Sequence, residues 1–264
     1  MNKGFVVLAQ NTDKIDYIRC AEVLGRSVKR YMPNANISLI TDEKVKSKTF
    51  DKIIKLPYGD LAPNSDWKLI NDWQVYEASP YDYTIKLEAD LYVPRSIEGW
   101  WDILTTRDVV VSTTIRNFKQ EVTDIGAYRK FIIDNNLPDC YNAITYFRKS
   151  ELAERFFNTV RNIFENWDEF KKTLKCSPDE PATTDWVYAL ASHIIGSEHT
   201  TLPQFSDMSM VHMKQFINGL PTENWTDTLV YEILPNTLRI NTFPQHYPFH
   251  YVIKNFSDKL VELK

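Results

Sequence analysis

The sequence predicts an α/β protein: a mostly parallel sheet flanked by helices, followed by a smaller β-rich C-terminal part. Three observations lead there. Up to Ile115, short apolar runs alternate with stretches of helical periodicity, the pattern of parallel strands joined by right-handed crossovers. In the C-terminal part the apolar runs are short and broken by Pro235, Pro244 and Pro248. A chain of 264 residues, 43% hydrophobic and 25% charged, suits one large soluble α/β domain or two small ones.

The elements follow in order. "GFVVLAQNT" reads as a buried strand with a polar end, and "DYIRCAEVLGRSVKRYMP" as a helix with Leu24, Val28 and Tyr31 on one face and Pro33 past its end. "NISLITD" and "KIIKLP" are the second and third strands. "SDWKLINDWQVYEA" has helical spacing, with Ser65 or Asp66 as its N-cap. "YTIKLEADLYV" is a strand, "SIEGWWDIL" a short helix and "RDVVVSTTI" a strand. "CYNAITYFRKS" reads as a strand running into a helix capped by Ser150, along which Leu152, Phe156, Val160, Ile163 and Trp167 keep helical spacing. "DEPATTDWVYALASHI" is a helix with Pro181 near its first turn, and "MSMVHMK" a short strand. There is no repeat, low-complexity segment or long linker, so one continuous domain over 1–264 is expected.

Several function classes drop out. The 7 glycines include no G-x-G pair, which excludes the dinucleotide fingerprint and the Walker loop. Cys20, Cys140 and Cys176 are widely spaced and odd in number, so neither a disulfide framework nor a zinc motif is expected. The apolar run near the start is too short for a signal peptide or a membrane span, and a cytoplasmic location is the expectation. A net charge of −4 argues against a surface coated in basic charge but allows a local basic face.

Parallel α/β sheets bind ligands at the carboxyl ends of their strands. Three polar strand ends fall there: Gln10-Asn11-Thr12, Thr41-Asp42 and Glu88-Ala89-Asp90. Glu88 and Asp90 stand two apart, so they share one face of their strand. Two carboxylates so close repel unless a cation or a proton relieves them. Mg²⁺ and Mn²⁺ accept such oxygen ligands together with substrate phosphates. A solvated pair bridged to Lys86 or Arg95 is the alternative.

"WKLINDWQVYEASPYDYTIKLEADLYVPRS" resembles the segment around the DxD motif of GT-A glycosyltransferases, particularly the glycogenin-like, retaining group. Lys68-Leu69, Tyr81-Asp82 and Glu88-Ala89-Asp90 hold the places of that family's K-L pair, Tyr-Asp turn and D-A-D in order, with Glu88 replacing the first Asp. "LPDCYNAITYFRKSE" resembles the F-N-[SA]-G strand, with Asn142 at the Asn and Ile144 in place of the Gly. "PDEPATTDWVYALAS" resembles the acidic D-Q helix start, with Asp179 and Glu180 at those places and Asp185 as a rival. "MVHMKQFINGLP" resembles the late H-x-x-G-x-x-K-P-W element, with His212 at the His and Lys214 too early for the Lys. The resemblance runs from about residue 4 to 225.

It implies a GT-A-like Rossmann-type fold whose 1–115 half binds a nucleotide-sugar, a UDP-sugar by analogy, while 116–264 carries the acceptor side and an aromatic C-terminal segment. It implies Mn²⁺ or Mg²⁺ on Asp90, His212 and Glu88, and Lys68 and Lys214 on the diphosphate. Ala9, Gln10, Asn11 and Thr12 are implied around the nucleoside. Asn142 and an acid among Asp179, Glu180 and Asp185 are implied at the reacting sugar. The Lys- and Asn-rich composition resembles glycosyltransferase-like proteins of large tailed bacteriophages, some of which decorate hydroxymethylated cytosines. For such a DNA acceptor the expected basic residues are Arg116, Lys119, Arg129 and Lys130, with Phe118 against a flipped base. A surface glycan is the competing acceptor. A catalytically silent nucleotide or sugar binder is the reading from another class.

Overall fold

The computed structural model describes residues 1–123, 129–175, 181–234 and 237–260. In chain order its strands are β1 (Lys3–Leu8), β2 (Ile37–Thr41), β3 (Lys52–Lys55), β4 (Tyr83–Glu88), β5 (Leu91–Tyr92), β6 (Val109–Ser112), β7 (Thr114–Arg116), β8 (Tyr141–Arg148), β9 (Ser209–His212), β10 (Tyr231–Leu234), β11 (Thr237–Ile240), β12 (Phe243–Pro244) and β13 (Phe249–His250). The helices are α1 (Tyr17–Tyr31), α2 (Val75–Ala78), α3 (Trp100–Leu104), α4 (Lys130–Asp134), α5 (Glu151–Glu165), α6 (Trp167–Thr173), α7 (Thr184–Ile195), α8 (Ser197–Thr200), α9 (Gln215–Asn218) and α10 (Phe256–Leu260). None among the described residues is long and apolar enough to cross a membrane.

The central sheet has the order β3-β2-β1-β4-β8-β6. Its first four strands are mutually parallel, and β8 runs antiparallel to both of its neighbours. The interior parallel strands β1, β2 and β4 are buried along most of their length, while β3 at the sheet edge is largely exposed. Helices cover both faces. One core packs α1 against Phe5, Leu87 and Tyr146, and the other packs α5 and α7 against Val6, Val109 and Phe147. Trp100 and Trp101 are buried, and Trp101 meets Phe5 and Tyr146 edge-on, so the Trp pair serves as an anchor.

A second sheet, β5-β13-β9-β7, grows out of the first. The run "RDVVVSTTI", expected as one strand, is two: β6 stays in the central sheet and β7 crosses into the second. The β-rich tail likewise divides. β10, β11 and β12 form a small antiparallel sheet, while β13 inserts between β5 and β9. Trp225, fully buried, donates from Nε1 to the Tyr251 carbonyl at 2.9 Å and packs edge-on against Phe249 and Phe256, fastening this part to the core.

Caps and breaks explain other departures from the expected elements. Ser150 caps α5 as expected, its hydroxyl accepting from Ala153 N–H at 3.3 Å. Trp167 belongs to the following helix, because the chain breaks at Asn166. Thr183 caps the helix, which begins at Thr184, so Pro181 lies just ahead of its first turn. "SDWKLINDWQVYEA" is a 3-10 helix over Leu69–Gln74 continued by α2, and neither Ser65 nor Asp66 caps it. In a 3-10 helix residues three apart eclipse. Asn71 and Gln74 thereby face the same loop, where they receive the Leu61 and Tyr58 backbone N–H groups.

One buried ion pair ties this helix to the sheet. Lys86 of β4 is fully buried, and its Nζ lies 2.8 Å from Asp72 Oδ1 and 3.2 Å from the Asn142 carbonyl. Asp72 Oδ2 accepts from Tyr188 Oη at 2.5 Å and from Asn142 Nδ2 at 3.1 Å. Breaking a buried pair from one side leaves the other charge uncompensated and costs about 3–5 kcal/mol. Lys86→Met is expected to lose stability on that scale in urea unfolding, and a Lys86→Met, Asp72→Leu double variant to recover most of it. Equal losses in both variants would show that the pair is not the cause.

Candidate functional site

Because β1, β2 and β4 are parallel, their carboxyl ends lie on one edge of the sheet. The antiparallel β8 brings its first residues to the same edge: Leu87 of β4 faces Ile144, which places Tyr141 to Ala143 alongside Glu88 and Asp90. A cavity of about 370 Å³ opens there. Its wall includes Ala9, Gln10 and Thr12 from the end of β1, Glu88 and Asp90 from the end of β4, Asp185 from the first turn of α7, and His212, Lys214, His250 and Lys254 from the second sheet and beyond.

The carboxylates sit in different surroundings. Asp90 is buried, and its Oδ2 accepts from His250 Nε2 at 2.8 Å and from the Lys254 ammonium. Burial alone would raise its pKa, but His250 and Lys254 outweigh it and hold Asp90 far below the ordinary carboxylate range. Glu88 lies with its Oε2 3.8 Å from His250 Nε2. There burial prevails over the attraction of His250 and Lys86, and the Glu88 carboxyl is pushed up. One ligand atom each from Glu88, Asp90 and His250 lies within 4.8 Å of the others, an oxygen, oxygen and nitrogen set that could hold a divalent cation.

The second sheet decides which histidine stands beside the two carboxylates. Asp90 immediately precedes β5, and the strand beside β5 is β13, so His250 is in register with Leu91. His212 of β9, expected as the metal ligand, is one strand further out. It is in register with His250, and the two rings stack at 4.6 Å. Burial and the neighbouring His250 push His212 well below its ordinary value, so it is a neutral imidazole, and its Nδ1 has no hydrogen-bond partner among the described residues. Lys254 follows four residues after His250. Between them Val252 has φ 62°, with Ile253 N–H donating to the Tyr251 carbonyl at 2.6 Å. A β-branched residue in that region is strained. The tight turn brings Lys254 back onto Asp90, and the favourable contacts of that lysine hold its ammonium above the ordinary range against the opposing effect of burial.

The remaining expected residues are distributed as follows. Asn142 does not line the cavity: its amide is spent on Asp72 and Thr145, and its backbone N–H donates to Asp185 Oδ1 at 2.8 Å. It therefore orients two acids from behind the wall. Asp185 reaches the cavity, while Asp179 and Glu180 lie outside the described residues, as do Cys176 and Pro235. Asn11 is absent from the wall, and its Oδ1 accepts from Ile18 N–H at the start of α1. Thr12 lines it and folds its own loop by accepting from Ile15 N–H. Lys68 lines it and is held by Asp60 at 2.6 Å, with Asp42 3.9 Å away.

Several of the residues expected to grip DNA are engaged within the protein. Arg129 is buried, paired with Asp139 at 2.6 Å and 3.6 Å from Asp185. Phe118 is buried against Phe243, so it cannot support a flipped base. Arg116 donates to Ser209 and to the carbonyls of Gln120 and Ser206, with its guanidinium 4.0 Å from the Tyr247 ring centre. Lys130 pairs with Asp134, and Lys119 lies in an exposed turn. Arg129 is thus a desolvated, paired cation of the interior, whereas Lys119 and Lys130 stay at the surface.

Reading the sequence missed His250, Lys254, Asp72, Tyr17 and Trp67 of the cavity wall, and named Lys86 only in the alternative of a solvated, bridged pair. "HYPFHYVIK" carried a signal of the same kind as "MVHMK", a histidine among apolar residues with a lysine close behind. Only the pairing of β13 with β5 tells the two apart.

No family model matches the sequence, and no curated protein does. Among solved structures, the glycosyltransferase GlyE of Streptococcus pneumoniae TIGR4 in its apo form is similar over 100% of this chain, with a TM-score of 0.50 and 11% identity. This chain spans 60% of the length of that one. The galactosyltransferase LgtC, in complex with donor and acceptor sugar analogs, is similar over 98% of this chain and 94% of its own, with a TM-score of 0.52 and 14% identity. At such identities the likeness is one of fold, and the fold is that of GT-A glycosyltransferases.

Proposed function

We propose that this chain transfers a glycosyl group from a nucleoside-diphosphate sugar to a hydroxyl, with a divalent cation held by Glu88, Asp90 and His250. The observation that carries the reading is the cavity at the carboxyl edge of the sheet, where this ligand set stands among lysines. The ligands fit a manganese or magnesium ion: two carboxylates and an imidazole, with the rest of the coordination left to phosphate oxygens and water. Bound there, the ion supplies positive charge to the diphosphate as the glycosidic bond breaks.

The protein's own groups share that work. The bond from the anomeric carbon to the diphosphate oxygen breaks, and its electron pair stays with the diphosphate. Lys254 and Lys214 supply further positive charge, Lys254 by leaving Asp90 when the ion arrives. Lys68, already braced by Asp60, serves the same phosphates from the other wall. The acceptor oxygen forms the new bond, and its proton passes to the released diphosphate or to a carboxylate. Asp185 and the backbone around Ala143 line the side of the cavity where the sugar lies in this reading. Retention at the anomeric carbon follows from the resemblance to the glycogenin-like group. The nucleotide half at 1–115 is then completed from the C-terminal part, which lends it His250 and Lys254.

For the acceptor, a carbohydrate hydroxyl is favoured over hydroxymethylated DNA. A second groove of about 470 Å³ adjoins the cavity across Trp67, which is 58% exposed, and carries Glu165, Asp168 and Glu169. Indole faces and carboxylate acceptors suit sugar hydroxyls, whereas the same carboxylates repel a phosphate backbone. A DNA acceptor would lean on Lys119 and Lys130, because Arg129 is buried.

In a thermal-shift series, a nucleoside diphosphate with Mn²⁺ at 100 times its dissociation constant is expected to add about 2.7 kcal/mol of stability. Asp90→Asn is expected to lose that increment, and no increment for wild type with any nucleoside diphosphate would sink the proposal. Lys254→Met is expected to move two affinities in opposite directions. Titration calorimetry should show Mn²⁺ alone binding several-fold tighter, because its competitor for Asp90 is gone. The nucleotide with saturating Mn²⁺ should bind about tenfold weaker, the scale of one charged hydrogen bond. Mass spectrometry of oligosaccharides and hydroxymethylcytosine DNA incubated with a nucleotide-sugar panel should give a mass increment of one sugar on an oligosaccharide. A product on DNA alone would reverse the choice of acceptor.

A further inference from the structure

Asp185 is held at both of its oxygens by one stretch of chain. Its Oδ1 accepts from the Asn142 backbone N–H at 2.8 Å, and its Oδ2 lies 3.6 Å from Arg129 Nη2. Arg129 is held in turn by the three residues that precede Asn142. Its Nη1 donates to Asp139 Oδ1 at 2.6 Å, its Nη2 donates to the Cys140 carbonyl at 2.6 Å, and its guanidinium stands 4.1 Å from the Tyr141 ring centre. Residues 139–142 therefore grip Asp185 twice, once directly and once through the guanidinium.

Asp139 alone does not account for a buried arginine. Its side chain is 30% exposed, so a surface cation could have paired with it. Arg129 is instead 6% exposed, and a guanidinium taken out of water is costly unless carboxylates compensate it. Burial opposes its charge, but Asp185 and Asp139 outweigh burial and hold Arg129 above its ordinary range. The spacing divides the labour. Asp139 is in hydrogen-bond contact, whereas 3.6 Å is longer than a hydrogen bond, so Asp185 is attracted and aimed while its lone pairs stay available. Asp185 is on the cavity wall, and Arg129 stands behind it.

We infer that Arg129 is a positioning residue for glycosyl transfer: with the Asn142 N–H it fixes the Asp185 carboxylate so that its free edge faces the reacting sugar. This rests on the nucleotide-sugar reading above. As the glycosidic bond breaks, its electron pair leaves with the diphosphate and positive charge grows on the sugar. A carboxylate already aimed at that charge stabilises it without first having to turn. Held at one oxygen only, Asp185 could rotate about its last side-chain bond, and Asp139 would repel it.

The test follows release of nucleoside diphosphate from a panel of UDP-, GDP-, ADP- and TDP-sugars with Mn²⁺, together with calorimetry of the matching nucleoside diphosphate. Arg129→Met should lose about a hundredfold in kcat, the scale of a misaimed catalytic group, while KM and nucleotide affinity stay at wild-type values. Asp185→Asn should lose at least as much. In the Asp185→Asn background Arg129→Met should cost nothing further, because it acts through that carboxylate. Asp139→Asn breaks the tighter ion pair but leaves Arg129 to Asp185, so it should lower the unfolding midpoint in urea and leave kcat unchanged. Should Arg129→Met fail to fold, Arg129→Lys carries the same cycle, since it keeps the buried charge without the fork that reaches both carboxylates. Additive losses in the two backgrounds, or a kcat loss in Asp139→Asn equal to that of Arg129→Met, would overturn the inference by assigning the effect to the fold. Full activity of Asp185→Asn would overturn it as well. Wild type that releases diphosphate from none of the sugars would instead bring down the transfer reading on which this one stands.

Discussion

The contact between Asp90 and the His250–Lys254 segment is the constraint on which the rest of the site depends. Asp90 follows the last residues of a central strand and precedes the first strand of the second sheet, so its backbone belongs to the junction of both. Its carboxylate is buried, and an uncompensated carboxylate there would cost several kcal/mol. Compensation comes from residues 160 and 164 positions later in the chain. To deliver them, β13 has to lie between β5 and β9, Trp225 has to hold Tyr251, and Val252 has to accept a strained backbone. Strain of that kind persists only where the surroundings over-determine it. The end of the chain thus closes the site that the first strands open.

Much of the architecture was legible because periodicity reports burial. The runs at 3–8, 37–41, 83–88 and 141–148 are strands because they are apolar on both faces, and their polar ends mark the edge where the cavity lies. Glu88, Asp90, Lys68 and Asp185 meet in that cavity, because each sits at the end or start of an element whose direction could be read. What could not be read was pairing between short strands distant in sequence. Two-residue and four-residue strands carry no period, and register is set by tertiary neighbours. His212 and His250 look alike in sequence and differ only in which strand lies beside Leu91. Side-chain commitments were equally hidden. Nothing local distinguishes Arg129, locked between two aspartates, from a cation that faces solvent.

The difference between Glu88 and Asp90 follows from the same geometry and bears on what the site can hold. Two carboxylates two residues apart share a face, and the protein relieves their repulsion unequally. Asp90 receives the imidazole and the ammonium and stays ionised, whereas Glu88, more distant from both, is pushed toward its protonated form by burial. Lys86, the next cation along the same strand face, is already committed to Asp72. The cavity is therefore short of one positive charge at Glu88 and has one on loan at Lys254. A divalent cation held by Glu88, Asp90 and His250 would supply the first and leave the second to an anionic ligand. The departure from a paired-aspartate motif has a physical consequence: Glu88 stands farther from His250 than Asp90 does, and burial raises its pKa where that of Asp90 is lowered.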